Sequence, residues 1–203
     1  MTLLDEVLAD LEAESAQLDG WVALLDADGW RTVTTPEGWT IAHQIGHLHW
    51  TDLASLMAIS DRPAFEESLK IAAANPSGYV DEGAEEMSQV PPAELLAQWR
   101  EGRAALQAAL RGVPAGEKIG WYGPPMSPVS MVTARLMETW AHSHDVAEAL
   151  GIEVPQTSRA KHVAHIGVRA RGFAHLVRGE EIPDGDVRVE LTGPEGDLWS
   201  GGA

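Results

Sequence analysis

The chain has 203 residues, 44% apolar and 22% charged, enough to bury a core and too little charge for a disordered polyelectrolyte. Fourteen basic against 31 acidic residues give a net charge of −17, which repels phosphate backbones and anionic lipid, so nucleic acid and membrane surfaces are poor partners. The absence of cysteine removes disulfides, thiolate zinc sites, iron–sulfur clusters and a thiol nucleophile of the chain's own.

The start, MTLLDEVLADLEAES, is acidic and amphipathic, unlike a signal peptide with its basic head and unbroken apolar stretch. No apolar run approaches the ~20 residues that span a bilayer. These features read as a soluble, cytoplasmic protein. The first helix is expected from about Leu3 to Asp28, where Leu4, Val7, Leu8, Leu11, Leu18, Trp21, Val22 and Leu25 form one stripe. After a loop over Thr32–Gly38, a second helix runs from the N-cap Thr40 to about Ser60, with Ile41, Ile45, Leu48, Leu53, Leu56 and Met57 inward. A short helix over Pro63–Ala74 is followed by a glycine- and acid-rich stretch. A third long helix opens at Pro91-Pro92 and ends at Arg111 before Gly112. The aromatic, turn-rich loop Gly120–Met126 leads to a fourth, with Ser127 as N-cap, Pro128 in the first turn and Gly151 past its end. A fifth runs from Thr157 to about Arg178. Val187–Leu191 then alternates with period two, and a turn at Gly193–Gly196 returns the chain through Asp197–Trp199. The expected class is all-α, an antiparallel up-down-up-down four-helix bundle with an extra C-terminal helix and a short terminal β-hairpin. The expected domains are residues 1–180 and 181–203, the hairpin either packing on the bundle or being the remnant of a second domain.

The common nucleotide, hydrolase and zinc-protease signatures are absent. What stands out is histidine and carboxylate at helical spacing. Glu138 and His142 lie four apart on the fourth helix and share a face, with Asp145 three further on. On the second helix His43 and His47 lie four apart, while His49 points to another side. A Glu and a His from one helix with a His from a facing helix make a three-ligand site with an open position, the pattern of a catalytic zinc site. Flanking Leu, Ile, Met and Trp place this cluster inward, where a carboxylate without a partner costs several kcal/mol.

The segment Gly38-Trp39-Thr40, followed six residues later by His47-Leu48, resembles the GW[ST]-x6-HL signature of the DinB-like metal-binding superfamily. The particular branch is that of mycothiol-dependent maleylpyruvate isomerase. Glu138, His142 and Asp145 resemble its second signature, E-x3-H-x2-D, and His162–Arg169 and the tail Val187–Trp199 fit an actinobacterial subgroup. The resemblance implies a divalent metal, usually zinc, held by His47, Glu138 and His142. His43 becomes a neighbour of the metal rather than a ligand, and Asp145 is placed to orient His142 or to cap local backbone. Arg135, Trp140 and Trp50 are the residues placed to line a substrate or thiol pocket, although Arg135 also suits a salt bridge and large aromatics also fill cores. Asp52 is expected on the solvated side. The basic residues of the fifth helix suit either an acidic ligand or surface pairing.

Relatives of that branch use the metal to bind a low-molecular-weight thiol such as mycothiol, since a divalent cation stabilises thiolate over thiol. Addition to an electrophilic double bond, rotation and elimination give isomerisation; retention of the adduct gives a transferase. The same resemblance implies a further domain contributing to the working enzyme, and here the corresponding region runs for one hairpin. The expectation is either a truncated form of that enzyme or a relative recruited to another small-molecule electrophile, in both cases a monomer or homodimer. A metal-dependent hydrolase or lyase that activates water needs the same ligands. A non-catalytic metal-binding protein is the third reading.

Overall fold

The computed structural model describes residues 1–202. Among them are seven α-helices, one short 3-10 turn and one antiparallel pair of strands. The helices are α1 (Leu3–Val22), α2 (Ile41–Ser60), α3 (Arg62–Ala74), α4 (Tyr79–Ser88), α5 (Pro92–Gly112), α6 (Pro128–Leu150) and α7 (Ala160–Val177); the strands are β1 (Arg188–Thr192) and β2 (Leu198–Gly202). The chain is therefore mostly helical with a terminal hairpin, and among the described residues no helix is long and apolar enough to cross a membrane.

The chain divides into two compact units, Met1–Glu153 and the residues from Val154 onward. The division places α7 with the hairpin, whereas the sequence reading drew its boundary at 180. In the first unit α2 is the central helix, packed on α5, α4, α6 and α3, while α1 packs on α6. Leu18 and Val22 of α1, Ile41, Ile45 and Leu48 of α2, Leu95 and Trp99 of α5 and Val146 of α6 form one core cluster. Ends follow their chemistry. Thr2 and Asp5 form a reciprocal capping box on α1. Ser127 Oγ accepts from the Ser130 N–H at 3.1 Å to start α6, and left-handed Gly151 (φ 66°) ends it, with Ile152 N–H donating back to the Ala147 carbonyl.

Two departures from expectation have tertiary causes. α1 stops at Val22 rather than Asp28. The Asp26 carboxylate accepts from the Gly29 N–H at 2.8 Å, and the 3-10 turn over Gly29–Arg31 tucks Trp30 into the core. The acid-rich stretch after residue 74 forms α4, whose Gly83 and Ala84 are buried. At Gly46 of α2 an added Cβ would lie 2.9 Å from Met87 Cβ and 3.2 Å from the Ala84 carbonyl, so a bare backbone lets α2 and α4 meet closely. That packing supplies what the local pattern lacks.

A loop positions the start of α2. Val33 and Thr40 form an isolated antiparallel bridge, Thr34 N–H donates to the Trp39 carbonyl at 2.9 Å, and Gly38 turns the chain at φ 79°. Thr34 and Trp39 are thereby held over the first turns of α2. In the second unit β1 and β2 pair with Leu191 opposite Trp199, and α7 packs on β2 without burying any of its own residues.

Candidate metal centre

α2 and α6 supply the three groups that meet. Nε2 of His47 lies 3.2 Å, and Nε2 of His142 3.4 Å, from the same Glu138 oxygen, Oε2. The three ligand atoms all lie within 4.8 Å of one another. Donors around a tetrahedral zinc ion at ~2.0–2.1 Å stand about 3.3 Å apart, so the His–Glu spacings fit such an ion. Glu138 and His142 converge because four residues make one helical turn, and His47 reaches them because α2 and α6 pack side by side.

The hydrogen-bond network decides where the protons lie. His142 Nδ1 faces Gln44 Oε1. The Gln44 NH2 donates to Thr34 Oγ1 at 2.9 Å, and the Thr34 hydroxyl donates to the Trp39 carbonyl at 3.2 Å. Gln44 Oε1 is thus the acceptor, His142 carries its proton on Nδ1, and its Nε2 turns a lone pair toward the Glu138 carboxylate. A cation placed between these two acceptors, 3.4 Å apart, would satisfy both. His47 Nδ1 is buried and has no hydrogen-bond partner among the described residues. Packing holds its ring instead: the Trp39 centroid is 5.5 Å away and the His142 centroid 4.6 Å. Trp39 also stacks nearly parallel on His142, at 5.9 Å and 10°.

Electrostatics agree with an acceptor-rich site. Burial pushes the Glu138 carboxyl up, but the His142 and His47 nitrogens beside it and the Arg135 charge outweigh it and hold the group well below the usual carboxylate range. Burial pushes the His47 imidazole down, against the pull of its hydrogen bond to Glu138. The side chains of His47 and His142 are 8% and 15% exposed and that of Glu138 is 29%, so the site opens on the glutamate side.

The other residues singled out in the sequence fall elsewhere. His43 is engaged away from the three: Thr40 N–H donates to its Nδ1 at 3.2 Å, and Nε2 meets Glu85 of α4 at 2.8 Å. Asp145 is half-buried and makes no hydrogen bond to His142, because that ring's Nδ1 points across to α2; the orienting partner is Gln44. Arg135 lines no open pocket. It is 2% exposed, donating from Nε to Asp52 Oδ1 at 3.1 Å and from NH2 to Thr51 Oγ1 at 2.6 Å. Asp52, expected on the solvated side, is buried as its partner, and burial pushes its carboxyl up to about 6 against the pull of Arg135. Trp50 does stand beside the site, its ring 6.4 Å from His47 and packed edge-on against Tyr79 at 5.2 Å. Trp140 packs instead on His144, at 4.2 Å between centroids. His49 is buried on another side of α2, against Gly102.

Gln44 and Thr34 were not foreseen. Gln44 had a readable signal, a polar residue inside the apolar run Ile41–Leu48 and three before His47, on the same face. Thr34 had none, since its approach depends on the loop over residues 33–40.

A family model described as the mycothiol maleylpyruvate isomerase N-terminal domain matches residues 11–147. An uncharacterized protein of Mycobacterium tuberculosis, in strains CDC 1551 / Oshkosh and ATCC 25618 / H37Rv, is 54% identical over 195 residues, covering 96% of this chain and 76% of the relative. Crystal structures of the mycothiol-dependent maleylpyruvate isomerase and of a histidine-to-alanine mutant of it align with TM-scores of 0.62 and 0.61. Those alignments cover 98% of this chain and 82% of theirs, at 16% identity, which makes the likeness one of fold.

Proposed function

The chain belongs to the family of the mycothiol maleylpyruvate isomerase N-terminal domain, and from that premise we propose a thiol-using enzyme built on a divalent cation, zinc being the best fit. In this reading α1, α2, α5 and α6 form an antiparallel four-helix bundle, and the unit Met1–Glu153 carries the site. His47, Glu138 and His142 hold the cation, and mycothiol or a similar thiol is added to an electrophilic double bond of a small molecule, isomerising it or remaining attached. One observation carries the proposal: two imidazole nitrogens converge on one carboxylate oxygen, with the proton of His142 committed to Gln44 on its far side. A divalent cation bound there favours thiolate over thiol, making an external sulfur nucleophilic near neutral pH. The thiol comes from outside, because the chain has no cysteine.

The chain's own residues do the rest. Gln44 keeps the Nε2 lone pair of His142 available. Trp39 covers the His47 and His142 rings and excludes water from the histidine side. Glu138 faces the open side, where thiol and electrophile enter, and the rings of Trp50, Tyr79 and Tyr122 give an apolar flank next to His47.

Elemental analysis of the purified chain tests the reading, with zinc expected at about one ion per chain. His47→Ala, Glu138→Ala and His142→Ala are each expected to lose it, and retention by all three rejects the site. A mycothiol-dependent rise in thermal stability of the metal-loaded chain is expected. Turnover without any thiol shifts the reading to a water-activating hydrolase or lyase.

A further inference from the structure

A buried arginine beside a cation site is an unfavourable neighbour, and the fold answers it with a second buried charge. Arg135 stands three residues before Glu138 on α6, one helical turn from the carboxylate. Its guanidinium donates to Thr51 Oγ1 at 2.6 Å, and that hydroxyl donates to the His47 carbonyl at 2.8 Å. The positive charge therefore lies within about one turn of both the glutamate and one of the histidines, in a region where Arg135 is 2% and Asp52 7% exposed. Asp52, five residues past His47 on α2, accepts from Arg135 Nε at 3.1 Å. Arg103 of α5, whose charge also acts on Asp52, is itself paired with Asp19 at 2.9 Å.

We propose that Asp52 is a positioning and neutralising residue for the cation site: it holds Arg135 against the α2 turn that carries His47 and cancels the charge that would otherwise repel the bound ion. This rests on the cation-site reading above. A charge of like sign within one helical turn, in surroundings this dry, weakens cation binding appreciably. The pair thus keeps a tie between α2 and α6 without an electrostatic penalty at the metal.

The test uses the full chain, Co2+ as the probe, affinity by chelator competition at pH 8, and the visible cobalt spectrum as a second readout. Asp52→Asn leaves Arg135 uncancelled and is expected to weaken Co2+ binding about tenfold or more. Arg135→Gln removes the positive charge and keeps Asp52, and affinity is expected to hold or rise. The double variant is neutral again and is expected to return to within about threefold of wild type. A fall in Asp52→Asn without a fall in Arg135→Gln is the signature of charge, because a mere loss of packing lowers affinity in both. Should Asp52→Asn fail to fold, Arg135→Gln and the double variant decide the matter. Wild-type affinity and an unchanged cobalt spectrum in Asp52→Asn, a fall in Arg135→Gln, or a double variant that binds weakly overturns the proposal. A wild-type chain that takes up neither Co2+ nor zinc overturns the cation site itself.

Discussion

Single residues carry the chemistry here through where each holds its proton. His142 presents a lone pair because Gln44 accepts from its other nitrogen, and Gln44 is turned the right way because Thr34 takes its NH2. Gln44→Leu preserves volume but leaves the His142 N–H without an acceptor and frees the ring to flip its tautomer. Its metal affinity, measured by chelator competition, is expected to fall about 10- to 100-fold. Asp145→Asn is expected to bind metal like wild type, since Asp145 makes no hydrogen bond to His142, whose Nδ1 is engaged by Gln44. An intact Gln44→Leu site beside a damaged Asp145→Asn site would reverse this assignment. Both positions were visible in the sequence, and helical spacing alone favoured Asp145. Spacing tells which side chains share a face. It does not tell which way an imidazole turns its second nitrogen, which depends on the facing helix.

Elements are held together by buried polar groups as much as by the apolar core. On α1, Asp19 receives Arg100 Nε at 2.8 Å and Arg103 NH2 at 2.9 Å, both from α5, and Arg103 also lies over the Trp99 ring at 4.5 Å. The hydrogen bond from Arg100, reinforced by the Arg103 charge and opposed by burial, holds the Asp19 carboxyl below its ordinary 3.8. A carboxyl with a lowered pKa in the fold contributes stability above its unfolded value and loses it as pH falls through the folded one. Asp19→Asn is therefore expected to melt at a lower temperature than wild type at pH 7, and the gap to close as pH drops below 3.8. A gap that persists unchanged in acid would assign the effect to packing instead. The helices α1, α2, α5 and α6 were legible because their apolar stripes and end signals agree. α4 was not, because its stability comes from lying against Gly46 of α2, a contact invisible to a local pattern.

Over the whole molecule the dominant quantity is the net charge of −17. It repels small anions at long range, and salt screens that repulsion. If the electrophile is anionic, kcat/KM is expected to rise as ionic strength goes from about 10 to 150 mM, while a neutral electrophile of similar shape shows no such rise. A fall with salt for the anionic substrate would point to local basic groups outweighing the global field. The amino-acid sequence by itself determined the helical class, the helix ends marked by Thr40, Ser127 and Gly151, and the pairing of Glu138 with His142, because these depend on the fixed periodicity of one helix and the chemistry of its ends. The choice of His47 over His43 came from the GW[ST]-x6-HL resemblance and not from spacing, and only the tertiary structure decided that Gln44 orients the second histidine and that Arg135 is buried against Asp52. Each of those depends on how α2 and α6 are placed against each other and against a loop, and distance along the chain does not encode distance across a helix interface.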